Sequence, residues 1–212
     1  MQDEAQARAY ALADFDEPHS RFVALFQEAF PEGPSRGPVL DLGCGSADIA
    51  VRFSRAFPRT VVHGVDGSQE MLKYGQEAVA RAGVAGRVRL FHGYLPGARL
   101  PSPRYDCVIS NSLLHHLREP TVLWEAIREY GAPGARIFVM DLVRPADLGE
   151  ARNLVERHAC GEPPVLRRDF FRSLLAAYRP DEVHRQLQRA GLQHLSVSKV
   201  SDRHMTIAGT LQ

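Results

Sequence analysis

The chain has 212 residues, enough for one domain whose core needs no disulfide or metal staple. Basic and acidic side chains number 26 and 25, a net charge of +1, which argues against a protein built to neutralise a phosphate backbone. Apolar residues make up 44% and no 18-residue apolar run occurs, so no membrane span is expected.

The N-terminal stretch MQDEAQARAYALADF starts acidic and lacks a long apolar segment, so it does not read as a secretory leader. Leu12 to Glu17 joins two helical stretches. In the second, Ser20 can cap, and Phe22, Leu25, Phe26, Ala29 and Phe30 form one apolar stripe. PEGPSRGP (31–38) then breaks the chain with Pro and Gly. Strand and helix signals alternate from there. Val39–Leu42 is a short apolar run before glycines, and Ser46–Phe57 is helical. Thr60–Val65 is a strand, and Ser68–Ala82 is a helix capped by Ser68 and ended by Gly83. Val88–Phe91 and Tyr105–Ser110 are strands. Pro120 opens a helix that runs to Tyr130, and Ala135–Asp141 is a fifth buried strand. This order predicts a parallel sheet covered by helices on both faces.

The last third differs. Residues 146–177 read as helices broken at Gly161–Pro164, and Arg179–Arg189 is a further helix. Two alternating runs around Ser201-Asp202-Arg203 then read as an antiparallel hairpin. The expected fold is α/β: a Rossmann-like, seven-stranded, mostly parallel sheet closed by a C-terminal antiparallel hairpin. The expected layout is a single domain. Residues 1–37 form a helical arm or lid, 38–141 a cofactor-binding core, 142–190 a helical substrate cap and 191–212 the closing hairpin.

The segment V-L-D-L-G-C-G-S-A-D (39–48) runs from a strand into a helix through Gly43 and Gly45. Glycines allow a tight turn and close approach to a ligand, and free N–H groups at a helix start favour an anion. A lone Gly-x-Gly also occurs in ordinary turns, so three further features matter. Asp41 precedes the glycines, where a pyrophosphate is poorly served. Asp48 stands where a dinucleotide fingerprint wants its third glycine. Asp66 ends the second strand, at the spacing usual for a partner of ribose hydroxyls. Together they suit a ligand with a cation, a carboxylate and a ribose better than a dinucleotide.

V-L-D-L-G-C-G, V-D-G-S-Q-E-M-L, Y-D-C-V-I-S-N-S-L-L-H-H-L and G-A-R-I-F-V-M-D, in that order, resemble the motifs of class I S-adenosylmethionine-dependent methyltransferases. The likeness is greatest to the small-molecule branch, including quinone-type C-methyltransferases. The resemblance implies S-adenosylmethionine as cofactor and methyl transfer to a small-molecule acceptor, mainly by alignment and desolvation. It implies that the backbone at Gly43 and Gly45 approaches the methionine part and that Asp41 reaches its amino end. Asp66 takes the ribose hydroxyls, Gly67 and Met71 flank ribose and adenine, and Asn111 lies beside the amino group or the sulfonium. The family often has Gly-Asp-Ala after the third strand. Here Gly93-Tyr94-Leu95 stands instead, which leaves adenine to backbone groups at Tyr94 and Leu95.

Several residues are candidates for chemistry or substrate contact. His115 and His116 follow the fourth strand, and histidine is the natural base near neutral pH. The alternative is that one packs on the sheet and the other caps locally. Asp141 and Arg144 follow the fifth strand; Arg144 can meet a substrate anion or pair with Asp141, and the internal pair is preferred. Tyr10 and Phe15 in the arm can form a lid or anchor a helix. Phe170, Phe171, Leu174, Leu175 and Tyr178 share a helical face that reads as core or as a homodimer seam. Arg167 and Arg168 read as solvated, with guidance of an anionic substrate as the alternative. Cys44, Cys107 and Cys160 are far apart and no third ligand accompanies the two histidines, so neither disulfide nor metal is expected, and the cytoplasm is the expected compartment. Partners are a small-molecule substrate and no nucleic acid. An NAD-dependent oxidoreductase, or a non-catalytic protein that binds S-adenosylmethionine, remains the alternative.

Overall fold

A computed structural model describes residues 16–34 and 37–212. Helix α1 (Asp16–Ala29) leads into strand β1 (Val39–Leu42), α2 (Asp48–Ala56), β2 (Val62–Asp66), α3 (Gln69–Arg81), β3 (Val88–His92) and β4 (Tyr105–Asn111). A 3₁₀ turn (Leu114–His116) precedes α4 (Thr121–Tyr130) and the long β5 (Gly131–Leu142). Three helices follow, α5 (Leu148–Ala159), α6 (Pro164–Ala176) and α7 (Pro180–Ala190), then β6 (Ser196–Lys199) and β7 (His204–Thr210). The strand order is β3-β2-β1-β4-β5-β7-β6, with β7 antiparallel to both β5 and β6. This is the expected seven-stranded sheet with its closing hairpin.

The sheet's two faces bury different side chains by the period of two. Leu40, Leu42, Val108, Ile137 and Val139 pack with Trp124, Ile127, Val183 and Leu187 of α4 and α7. Val39, Val62, Cys107, Ile109 and Phe138 pack with α1, α2 and α3. Phe26 is the hub of the second face. Its ring meets Phe53, Phe30, Phe57 and Phe138 at centroid distances of 4.8 to 5.6 Å. A third, smaller core of Leu142, Leu154, Val155, Ala159 and Leu174 joins α5 and α6 to the end of β5.

Two boundaries differ from expectation for local reasons. Helix α2 starts at Asp48, two residues late, because the Ala47 amide folds back on the Cys44 carbonyl (2.8 Å) with Ala47 at φ 62°. Strand β5 begins at Gly131 rather than Ala135, since α4 passes into it without a loop. There a Cβ on Gly131 would lie 2.7 Å from the Ile127 carbonyl oxygen. The apolar face expected on α6 is also divided. Leu174 is buried and Leu175 is exposed. Tyr10 and Phe15 lie outside the described residues.

Truncating Phe26, which is fully buried, empties the junction of α1, α2 and the sheet. Phe26→Ala is expected to lose about 3–5 kcal/mol of unfolding free energy in urea titrations. A loss below about 1 kcal/mol would show that α1 is not part of the cooperative core.

Candidate functional site

In an open parallel sheet, ligands meet the carboxyl ends of the strands where the order reverses, here between β1 and β4. The glycine turn sits there. Gly43 and Gly45 have φ of 72° and 51°, values an L-residue rarely adopts. A Cβ on Gly43 would come within 2.8 Å of the Leu113 side chain, so Leu113 closes over the turn only because glycine is there. The Met71 methyl would lie 3.3 Å from a Cβ on Gly45.

The turn's amides are spent inside the protein. Gly43 and Cys44 donate to the Val65 carbonyl (2.9 and 3.1 Å), and Gly45 donates to Asp66 Oδ2 (2.9 Å). The Gly43, Cys44 and Gly45 amides are thus not available to an anion, whereas no side chain caps the amides at the start of α2. At the start of α2, Asp48 adds a negative charge of its own. Asp48 Oδ2 meets His19 Nδ1 (2.7 Å) and accepts from Arg52 Nε (2.6 Å), which ties α1 to α2. Burial alone would raise the Asp48 carboxyl, but the hydrogen bonds from His19 and Arg52 outweigh it and hold it below its ordinary value. A pyrophosphate at this turn would find few donors and a fixed carboxylate.

The unmet groups are acceptors. Asp41, on β1, is almost wholly buried and its Oδ2 has no hydrogen-bond partner. The Asn111 side-chain oxygen, at the end of β4, is likewise buried and unpartnered. Asp41 lies opposite Ile109 in the β1–β4 register, so Asn111 stands two residues further along the same side of the sheet. Asp66 on β2 completes the rim. Its Oδ1 accepts from the Ser68 amide (2.7 Å), and each oxygen keeps a lone pair for another donor. Burial first, then the Asp66 charge, push Asp41 up to about 7. Ser68 caps α3 by accepting from the Met71 amide, which fixes Met71 beside the turn.

Gly67 and Tyr94 come together. A Cβ on Gly67 would meet the Tyr94 ring at 2.8 Å, and that ring is largely exposed. Gly93 is held by its amide to the Asp66 carbonyl (3.0 Å), so Gly93-Tyr94-Leu95 borders the Asp66 end of the crevice.

A second cluster lies on the other face of the sheet. Asp141 is buried, and its Oδ2 accepts from the Leu114 amide (2.8 Å) while Oδ1 accepts from the Leu142 amide (2.7 Å). Asp141 Oδ1 also contacts His115 Nδ1 at 2.6 Å. A carboxylate oxygen can only accept, so Nδ1 carries the proton and Nε2 is left as the basic nitrogen. His115 is buried; His116 is exposed and tilts over it at 4.1 Å between ring centroids. Ser112, with φ 55°, makes the sharp exit from β4 that presents this turn.

Arg144 does not pair with Asp141. Its guanidinium Nη2 donates to Glu182 Oε1 instead, while Asp141 accepts from Leu114, Leu142 and His115. Glu182 opens α7 and carried no motif, so sequence reasoning missed it. It also missed His19 and the clamp role of Asp48. Arg167 and Arg168 are not simply solvated, since they pair with Glu156 and Asp169. Burial raises the thiols of Cys44 and Cys107 well above their ordinary value, so neither is a nucleophile at this edge. Among the described residues no group of His, Cys, Asp and Glu could hold a metal, and no helix is long and apolar enough to cross a membrane.

Comparison with known proteins agrees with this geometry. Residues 39–134 match the family described as a methyltransferase domain. An uncharacterized methyltransferase of Mycobacterium tuberculosis is 31% identical over 123 residues, 58% of this chain and 59% of that protein. A ubiquinone/menaquinone biosynthesis C-methyltransferase of Escherichia fergusonii is 30% identical over 115 residues, 53% of this chain and 46% of its own length. The chain thus matches only about half to three fifths of these relatives. A SAM dependent methyltransferase from Aquifex aeolicus superposes over 100% of both chains with a TM-score of 0.72 at 18% identity.

The buried Asp41 has a readable signature. Its carboxyl is raised from 3.8 to about 7 in the folded state. Folded protein therefore keeps a proton that unfolded protein releases, and stability falls as pH climbs through that window. Asp41→Asn removes the penalty. The variant's Tm relative to the parent is expected to rise between pH 4 and pH 8. A difference that does not change with pH contradicts the assignment.

Proposed function

We propose that this chain, whose residues 39–134 match a methyltransferase domain, is a class I S-adenosylmethionine-dependent methyltransferase and transfers a methyl group from this cofactor to a small organic acceptor that must lose a proton. The observation that carries this reading is the pair of buried, unpartnered oxygens on Asp41 and Asn111 beside a glycine turn whose amides are spent. Such a site calls for a donor-rich, positively charged group and disfavours a pyrophosphate. The cofactor's ammonium meets that demand, and its sulfonium adds positive charge.

Asp41 and Asn111 hold the amino end, and the Gly43–Gly45 backbone gives it close approach. The lone pairs left on Asp66 take the ribose hydroxyls. Met71 and Tyr94 border the ring system, with Tyr94 supplying an aromatic face in place of a carboxylate after β3. When bound, S-adenosylmethionine supplies an electrophilic methyl group. The protein's part is to align the acceptor, exclude water and deal with the acceptor's proton.

His115 suits that last task. Asp141 fixes its ring through Nδ1, and Nε2 is the atom that takes the proton. A base is of use only for an acceptor atom with a proton to lose, such as a hydroxyl or an acidic carbon. Residues 142–190 contain α5, α6 and α7 and form the cap over the acceptor. Helix α6 packs on the His115 turn, which supports a cap close to the base.

The test is transfer of labelled methyl to a panel of phenols, enols and amines. His115→Ala is expected to lower kcat by about 10²-fold, the usual scale for a positioned base. Binding of S-adenosylhomocysteine should stay within twofold of the parent. Unchanged turnover in this variant overturns the base, and no transfer to any acceptor despite tight cofactor binding overturns the enzyme reading.

A further inference from the structure

Helices α5 and α6 bury one side of their pairing in the Leu154, Val155 and Leu174 core. Along the pair runs a groove of about 320 Å³. Val155 and Phe171 give it an apolar floor, and Arg152, Glu156, Arg167 and Arg168 stand at its rim. None of these residues belongs to the Asp41 crevice or to the His115 pair.

The rim charges do not cancel. The Arg167 guanidinium donates to Glu156, which uses the groove's one carboxylate. Arg168 reaches the adjacent Asp169 at 3.3 Å, a long contact, with more than half its side chain exposed. Arg152 makes no ion pair among the described residues. At least one guanidinium is thus left without a counter-charge beside an aromatic ring, on a chain whose overall charge is only +1. A guanidinium offers two parallel N–H donors to an oxyanion and stacks on aromatic faces. The cavity is at the small end of ligand pockets, the size of a ring or a short chain.

We propose that this groove is a second binding site, for a small carboxylic acid with an apolar ring or short chain. The apolar part lies over Val155 and Phe171, and the carboxylate is held by Arg152 and Arg168. The proposal is independent of methyl transfer, since it rests on none of the crevice residues. Helix α6 also touches the Leu114–His116 turn, so an occupied groove is coupled to that turn through one rigid element.

The probe is benzoate, titrated by calorimetry and by amide chemical-shift mapping on the whole chain. Binding is expected to weaken as salt rises, and the shifted amides should cluster on α5 and α6. The double variant Arg152→Gln, Arg168→Gln should weaken benzoate at least tenfold while leaving S-adenosylhomocysteine binding unchanged. Saturating S-adenosylhomocysteine should not displace it. Benzamide should bind at least tenfold more weakly, because it lacks the charge. Equal binding of benzamide overturns the oxyanion half, and equal binding of inorganic phosphate overturns the apolar half. Undiminished benzoate binding by the double variant, or displacement by S-adenosylhomocysteine, overturns the site itself.

Discussion

A carboxylate oxygen buried in a parallel sheet without a partner sets the terms for this site. Asp41 sits on the central strand β1, flanked by β2 and β4, where water is excluded and each neighbouring backbone group is already paired in the ladders. An unpaired buried acceptor costs about 1–3 kcal/mol. Folding tolerates it because the strand is otherwise well packed and because the carboxyl can hold a proton near neutral pH. A bound cation would remove the cost. The same residue that weakens the empty protein is therefore the one that would strengthen the occupied one.

The other features answer to Asp41. The glycine turn lets the backbone come close, and its amides are tied to Val65 and Asp66 so that the turn keeps its shape. Leu113 and Met71 press on the glycines from two sides. The His19–Asp48–Arg52 clamp holds α1 against the helix that follows the turn. The phenylalanine cluster around Phe26 stiffens the layer beneath. Across the sheet, Asp141 does the opposite of Asp41. It is equally buried but fully engaged, and it fixes His115. One acid keeps a buried oxygen without a partner, and the other orients a histidine.

The strand order and the closing hairpin were legible because alternating apolar runs and the glycine, proline and serine boundaries carry that information locally. Asp41, Asp66 and Asn111 were legible as strand-end residues, since a parallel sheet gathers its strand ends at one edge. Pairings between distant elements were not. Nothing near Arg144 in the chain points to Glu182, which lies on a helix that returns only after two others. Sequence proximity favours Asp141 for the arginine, yet Asp141 takes its donors from Leu114, Leu142 and His115. Asp48 was seen only as a missing glycine, because its partner His19 belongs to a helix on the far side of a proline-rich break. The state of the loop amides was also hidden, since it depends on how β2 lies beside β1.

The most direct measurement is a calorimetric comparison of S-adenosylhomocysteine with NAD on the parent chain and on Asp41→Asn. The account predicts clear binding of S-adenosylhomocysteine, at least tenfold weaker in the variant, and no measurable binding of NAD to either. Tighter binding of NAD, or S-adenosylhomocysteine affinity that is indifferent to Asp41, would contradict it.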